Sequence, residues 1–138
     1  MFVFLGLIVA ACLSAATAFP EITVVRPGDV PNWEHFDEQQ LVMLQEMVEE
    51  GHQPWRQDPA YYAGVFIMAY RQYREGRPID PTAMESVRKD IALESDSKAI
   101  VAIRIGRTKY IVDLTAPLKP YPEGIWVITG MRVVDTSA

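Results

Sequence analysis

Cysteine is nearly absent. Cys12 is the only one in 138 residues, so neither a disulfide framework nor a cysteine-based zinc site can form within one chain. Histidine is scarce too: His35 and His52 stand alone. They flank a helical stretch and lie about its length apart, which disfavours one metal ion shared with Glu34, Asp37 or Glu49. No Gly-x-Ser-x-Gly elbow and no phosphate-cradling glycine loop occurs, and the serines sit in turns or at the terminus. Glu49 and Glu50 are adjacent on a helix and so point to different sides, unlike a catalytic carboxylate pair. A basic stripe interleaved with aromatics is also missing, which argues against nucleic acid as a partner. These absences predict a chain that is not an enzyme and that uses no metal and no cofactor.

Charge is missing from the start of the chain. Phe2 to Ala11 is uncharged and almost wholly apolar, the length of a secretory core and about half of a membrane span. Residues 1–18 therefore read as an export signal. Ala16-Thr17-Ala18 supplies the small residues of a cleavage site, so the mature chain begins at Phe19. Val9-Ala10-Ala11-Cys12 offers a rival, a lipobox in which Cys12 carries the lipid. The protein is extracytoplasmic on either reading, secreted or anchored through Cys12, and meets a membrane only through that signal or lipid. No base precedes the apolar run, a departure from the usual signal pattern.

The remaining length of roughly 120 residues suits one domain with its own core. Its charge is uneven. Up to residue 50 one base faces eight acids, a net −7; from residue 51 onward 12 bases face 10 acids, a net +2. The bland reading is internal complementarity between an acidic first helix and a mildly basic remainder.

Residues 19–36 form an extended tether or an edge strand, since Ile22 to Val25 is β-branched and Pro27-Gly28 ends the run. Residues 37–138 form a single α+β domain. Its first helix starts at Asp37, turns Leu41, Leu44, Met47 and Val48 to the core and stops at Gly51. Pro54 breaks the chain, and Asp58-Pro59 caps a second helix that runs to Arg74. Tyr62, Val65, Phe66, Ala69, Tyr70 and Tyr73 make its main buried face. Tyr61, Ile67 and Met68 leave little polar surface, so this helix lies between the first helix and a sheet, with Gly64 permitting a close approach. Ala83 to Ser86 form a single helical turn or the lead-in to a strand. The period then changes to two over 87–94, 99–105, 109–115 and 125–134, with a tight hairpin at Gly106-Arg107. The fold class is thus α+β, two N-terminal helices packed on one face of a three- or four-stranded antiparallel meander, a cystatin-like or related layer.

Two surfaces stand out as candidate binding sites. Trp55 beside Arg56 can stack and grip a ligand; alternatively Trp55 plugs the core and Arg56 pairs with Asp58 or the acidic helix. The proline-rich loop 116–124, with Pro120 and Tyr121, can meet a partner at low ordering cost; alternatively it is a stiff connection. A different possibility is a pocket of at least ~300 Å³ between the second helix and the sheet, lined by Tyr62, Phe66, Tyr70 and Trp126.

Gly51-His52-Gln53-Pro54-Trp55-Arg56-Gln57-Asp58-Pro59, with Gly106-Arg107-Thr108-Lys109-Tyr110 and Glu123-Gly124-Ile125-Trp126-Val127-Ile128, resembles small exported or lipoprotein-type domains of Gram-positive bacteria. The resemblance spans most of the mature chain and implies export and a bacterial source, but no reaction. The ending around Gly124 and Trp126 is also similar to that of cystatin-like and nuclear-transport-factor-like domains. The expected function is contact with an envelope protein or peptide through Trp55, Arg56, Pro120 and Tyr121, with small-ligand binding as the alternative.

Overall fold

The computed structural model describes residues 20–31, 33–76, 80, 84 and 87–136. The export signal, Cys12 and most of the proposed 83–86 turn lie outside them. Five strands form one antiparallel sheet: β1 (Glu21–Val25), β2 (Lys89–Ser95), β3 (Lys98–Ile105), β4 (Thr108–Thr115) and β5 (Val127–Asp135), in the order β1-β5-β4-β3-β2. The meander of β2 to β5 follows the period-two runs. The sheet exceeds the expected three or four strands because Glu21–Val25 is an edge strand paired with β5. Its β-branched residues suit a pleated surface, and Pro27 opens a 3-10 turn directly after it. Gly106 turns the β3–β4 hairpin at φ 62°, a left-handed conformation that costs glycine little.

Cross-strand register sorts the side chains by face. Val25, Met131, Val112, Val101 and Ile91 form one row, and all but Ile91 are buried. Tyr110 and Ile103 belong to the next row on this face and are also buried. The opposite face mixes Ile22, Val24 and Ile111 with Arg104, Lys109, Asp113 and Arg132, following the alternation of pleated strands. Ile91 and Leu93 remain exposed on edge strand β2 although their register neighbours are core.

Helix α2 (Pro59–Glu75) contributes Tyr62, Ala63, Ile67 and Tyr70 to this core. Asp58 caps it as the sequence predicts, its carboxylate accepting from the Ala60 and Tyr61 N–H groups at 3.0 and 3.2 Å. The buried face is rotated from the expected one: Ile67 is fully buried, whereas Ala69 and Tyr73 face solvent. A helix rich in aromatics on all sides gives no single periodic solution, so sheet contact decides which stripe goes in. Near the far end of α2, Tyr110 Oη lies between Arg71 Nη1 (2.9 Å) and Glu75 Oε1 (3.2 Å). Burial pushes the Tyr110 phenol up to about 12.

Helix α1 (Glu38–Glu49) begins where the sequence places it, Asp37 and Gln40 capping each other at 2.8 and 3.0 Å. Its packed face differs from the expected stripe. Val48 and Gln45 are buried, Leu41 and Leu44 half-buried, and Met47 turns outward. The polar anchors of α1 reach the β4–β5 connection and the 3-10 turn Pro54–Gln57 sits beside it.

Gly64 does not serve the close approach expected of it. A methyl group there would meet Lys89 Cε at 3.5 Å and Met84 Cγ at 3.6 Å, ordinary contact distances. Gly64→Ala removes backbone freedom from the unfolded chain without a clash, so urea unfolding should show a gain of about 0.5–1 kcal/mol. A loss would mean that the interior at Lys89 and Met84 is tighter than described.

Candidate functional site

Trp55, Arg56 and the loop 116–124 meet at one corner of the molecule. Gly51, at φ 92°, ends α1, and Gln53 takes the left-handed conformation at φ 49° ahead of Pro54. This reverses the chain into the 3-10 turn that carries Trp55 and Arg56. The backbone N–H of Trp126 donates to the Arg56 carbonyl at 3.0 Å. Gln57 Nε2 donates to the Glu123 carbonyl at 2.9 Å. Residues separated by about seventy positions are thereby neighbours.

Arg56 is buried and committed to partners within the chain. Its Nη1 donates to Glu34 Oε2 at 2.8 Å and its Nε to Gln53 Oε1 at 2.7 Å. Tyr62 Oη donates to the same Glu34 oxygen at 3.0 Å. The guanidinium carbon lies 4.5 Å from the centre of the Trp55 ring and 5.5 Å from that of Phe36. The expected partners, Asp58 or the acidic helix, are replaced by Glu34, which nothing in local spacing links to Arg56. Burial is the main cause that raises the Tyr62 phenol, and the Glu34 carboxylate beside it adds to the effect. Such a set ties residues 33–36 to the corner; Arg56 has little left to offer a ligand.

The loop is held differently. Gln45 is 4% exposed; its Nε2 donates to the Glu123 carbonyl at 2.9 Å and its Oε1 accepts from Ile125 N–H at 2.9 Å. Lys119 pairs with Glu49 of α1, which lowers the Glu49 carboxyl through that bond and raises the Lys119 ammonium. Tyr121 N–H donates to the Asp96 carbonyl at 2.7 Å, and the Tyr121–Pro122 peptide is cis. Pro120 is exposed, and the Tyr121 ring is 43% exposed with its centre 6.2 Å from that of Trp126. The backbone N–H thus ties Tyr121 to the β2–β3 turn.

Between this loop and α1 runs a groove of about 280 Å³ lined by Val42, Gln45, Glu46, Glu49, Leu118 and Lys119. Met43, at 57% exposure, and Met47 are exposed on another side of α1, outside the lining of the groove. Reading the helix as a single amphipathic stripe misses these residues. The signal was Gln45 among apolar neighbours: a polar side chain in that stripe means the helix is not packed as the apolar count suggests.

The other four candidates serve as packing. Tyr62, Tyr70 and Trp126 belong to the hydrophobic core, at 5, 6 and 1% exposure, and Phe66 packs against it, 4.4 Å between its ring centre and that of Trp33. A groove of about 340 Å³ does involve Phe66, with Val30, Pro31, Trp33, Ala69, Gln72 and Tyr73. It does not include Tyr62, Tyr70 or Trp126. The indole Nε1 of Trp126 is buried with no hydrogen-bond partner among the described residues. Both histidines are exposed, and no group of three His, Cys, Asp or Glu side chains among the described residues could hold a metal. No helix of the described residues is long and apolar enough to cross a membrane.

Comparison with protein-family models, curated proteins and solved structures finds no match.

Gly124 tests how tightly the loop is fitted. A Cβ there would lie 1.7 Å from the Lys119 carbonyl oxygen, so the loop must open to admit one. Gly124→Ala should destabilise the fold by about 1–3 kcal/mol in urea unfolding. An unchanged midpoint would contradict the close return of the chain on itself.

Proposed function

We propose that this chain is a non-enzymatic extracytoplasmic domain that works by protein or peptide contact at the bacterial cell envelope. The observation that carries this reading is a mixed apolar and acidic surface beside a fixed loop. Val42 on α1 and Leu118 on the loop, both exposed, line the groove of about 280 Å³, and Met43 and Met47 on α1 and Tyr121 on the loop stand exposed outside it. Methionine side chains adapt to varied apolar partners at little cost. Tyrosine on a rigid backbone provides contact area with few rotors to freeze. Glu46 lines the groove and Glu50 follows one turn later, neither with an ion pair among the described residues. The fitting partner is therefore a segment with apolar anchors and basic flanks. Trp55 and Arg56 support the corner from behind, and Pro120 and Tyr121 meet the partner.

A small-ligand reading has one observation in its favour, the groove of about 340 Å³ at Trp33, Phe66 and Tyr73. It would replace the proposed pocket of Tyr62, Phe66, Tyr70 and Trp126, of which only Phe66 lines that groove.

Capture from envelope extracts separates the readings. The chain should retain a partner that Val42→Glu and Tyr121→Ala each weaken by at least about tenfold, each change removing an exposed apolar contact. A Tyr73→Ala control should retain it fully. Identical partners in all three variants would count against the α1–loop surface.

A further inference from the structure

The tip of the β3–β4 hairpin carries three bases that no ion pair among the described residues neutralises. Arg104 and Lys109 are directly opposite in the β3–β4 register, on the sheet face away from α2, and Arg107 sits in the turn between them. Like charges placed opposite each other repel. None of the three has an ion pair among the described residues. On the same face Asp90 is taken by Arg88 at 2.9 Å and Asp113 by Arg132 at 3.6 Å. Glu21 and Asp135 close the same end of the sheet on its other face, where they pair in register, and Asp135 has a partner of its own.

Two further observations say what such an end could meet. In one cross-strand row, exposed Ile22 and half-buried Val134 continue into Lys109 and Arg104. Apolar and basic side chains therefore share one rim. The chain also enters the sheet at this end, because Glu21 lies in register with Asp135, and Asp135 with Thr108. On the reading in which Cys12 carries a lipid, the residues ahead of Glu21, Cys12 to Pro20, have no charged side chain and are largely apolar. Glu21 and Thr108 are two strands apart, about 10 Å.

We infer that this rim, Ile22 with Lys109, Arg104 and Arg107, rests on an anionic lipid bilayer. Each base near an anionic lipid surface contributes about a fivefold gain in affinity, and three together about a hundredfold, weakened by salt. The rim then faces the headgroups, while the far end of β4, about 20 Å away, leads into the loop that carries Tyr121. This inference does not depend on the envelope partner proposed above.

Lysine acetylation read by mass spectrometry tests it with the full chain. Lys109 lies on the rim, and Lys98, paired with Thr115, lies at the other end of the same face. The chain is mixed with vesicles of pure phosphatidylcholine, or with vesicles containing about a third phosphatidylglycerol, enough to give a clearly negative surface. On anionic vesicles Lys109 labelling should slow at least about fivefold relative to Lys98, and added salt should restore it. The Arg104→Gln, Arg107→Gln double variant should lose the protection while keeping its circular dichroism spectrum. Equal labelling on both vesicle types would overturn the proposal. So would equal protection in the double variant, or protection of the same size by inorganic phosphate without vesicles.

Discussion

One buried amide joins the two halves of this protein. Gln45 faces inward from the middle of α1, where it donates to the Glu123 carbonyl and accepts from the Ile125 N–H. Both groups belong to the connection between β4 and β5, a stretch with no ladder of its own. A buried backbone group without a partner costs about 1–3 kcal/mol, so this side chain, which meets the Ile125 N–H and one lone pair of the Glu123 carbonyl, stabilises the connection against the helix. Gln57 adds a second donor to the Glu123 carbonyl, and Lys119 pairs with Glu49 at the rim.

The rest of the corner follows from that clamp. With the connection held, Trp126 reaches the Arg56 carbonyl and the core in one step. Leu118 and Lys119 lie beside α1, and the Tyr121 N–H is bonded to the Asp96 carbonyl. The outward α1 residue Val42 then lines a groove with Leu118 and Lys119. Arg56 and Glu34 perform the parallel task on the other side, where the pair, with the guanidinium set between Trp55 and Phe36, ties residues 33–36 down. Polar side chains that bond across the chain set its shape here, and exposed apolar ones are left for contact.

Much of the architecture was legible from the residues. Asp37 and Asp58 announce their helices through cap chemistry, Gly106 announces its hairpin, and the alternation of Tyr110, Val112 and Leu114 places one sheet face in the core. These signals are local, and local physics suffices for them. The edge strand Glu21–Val25 was one of two readings, because only its partner β5, more than a hundred residues away, decides between them. The buried face of α2 is not legible from its residues, because aromatics occur on every side. Glu34 as the partner of Arg56, and Gln45 as the clamp, could not be found from spacing, since both bonds join distant residues. Of the candidate site, the meeting of the Trp55 corner with the 116–124 loop was likewise invisible until the strands were paired.

Native-state hydrogen exchange at the Ile125 amide, compared between the wild-type chain and Gln45→Leu, tests the clamp most directly. Leucine keeps the bulk of the side chain and removes both bonds. Exchange at Ile125 should speed up by at least about tenfold, the loss of one net hydrogen bond of roughly 1.4 kcal/mol, while the amides of β3 and β4 keep their protection. An Ile125 amide that exchanges at the same rate in both proteins would contradict the account.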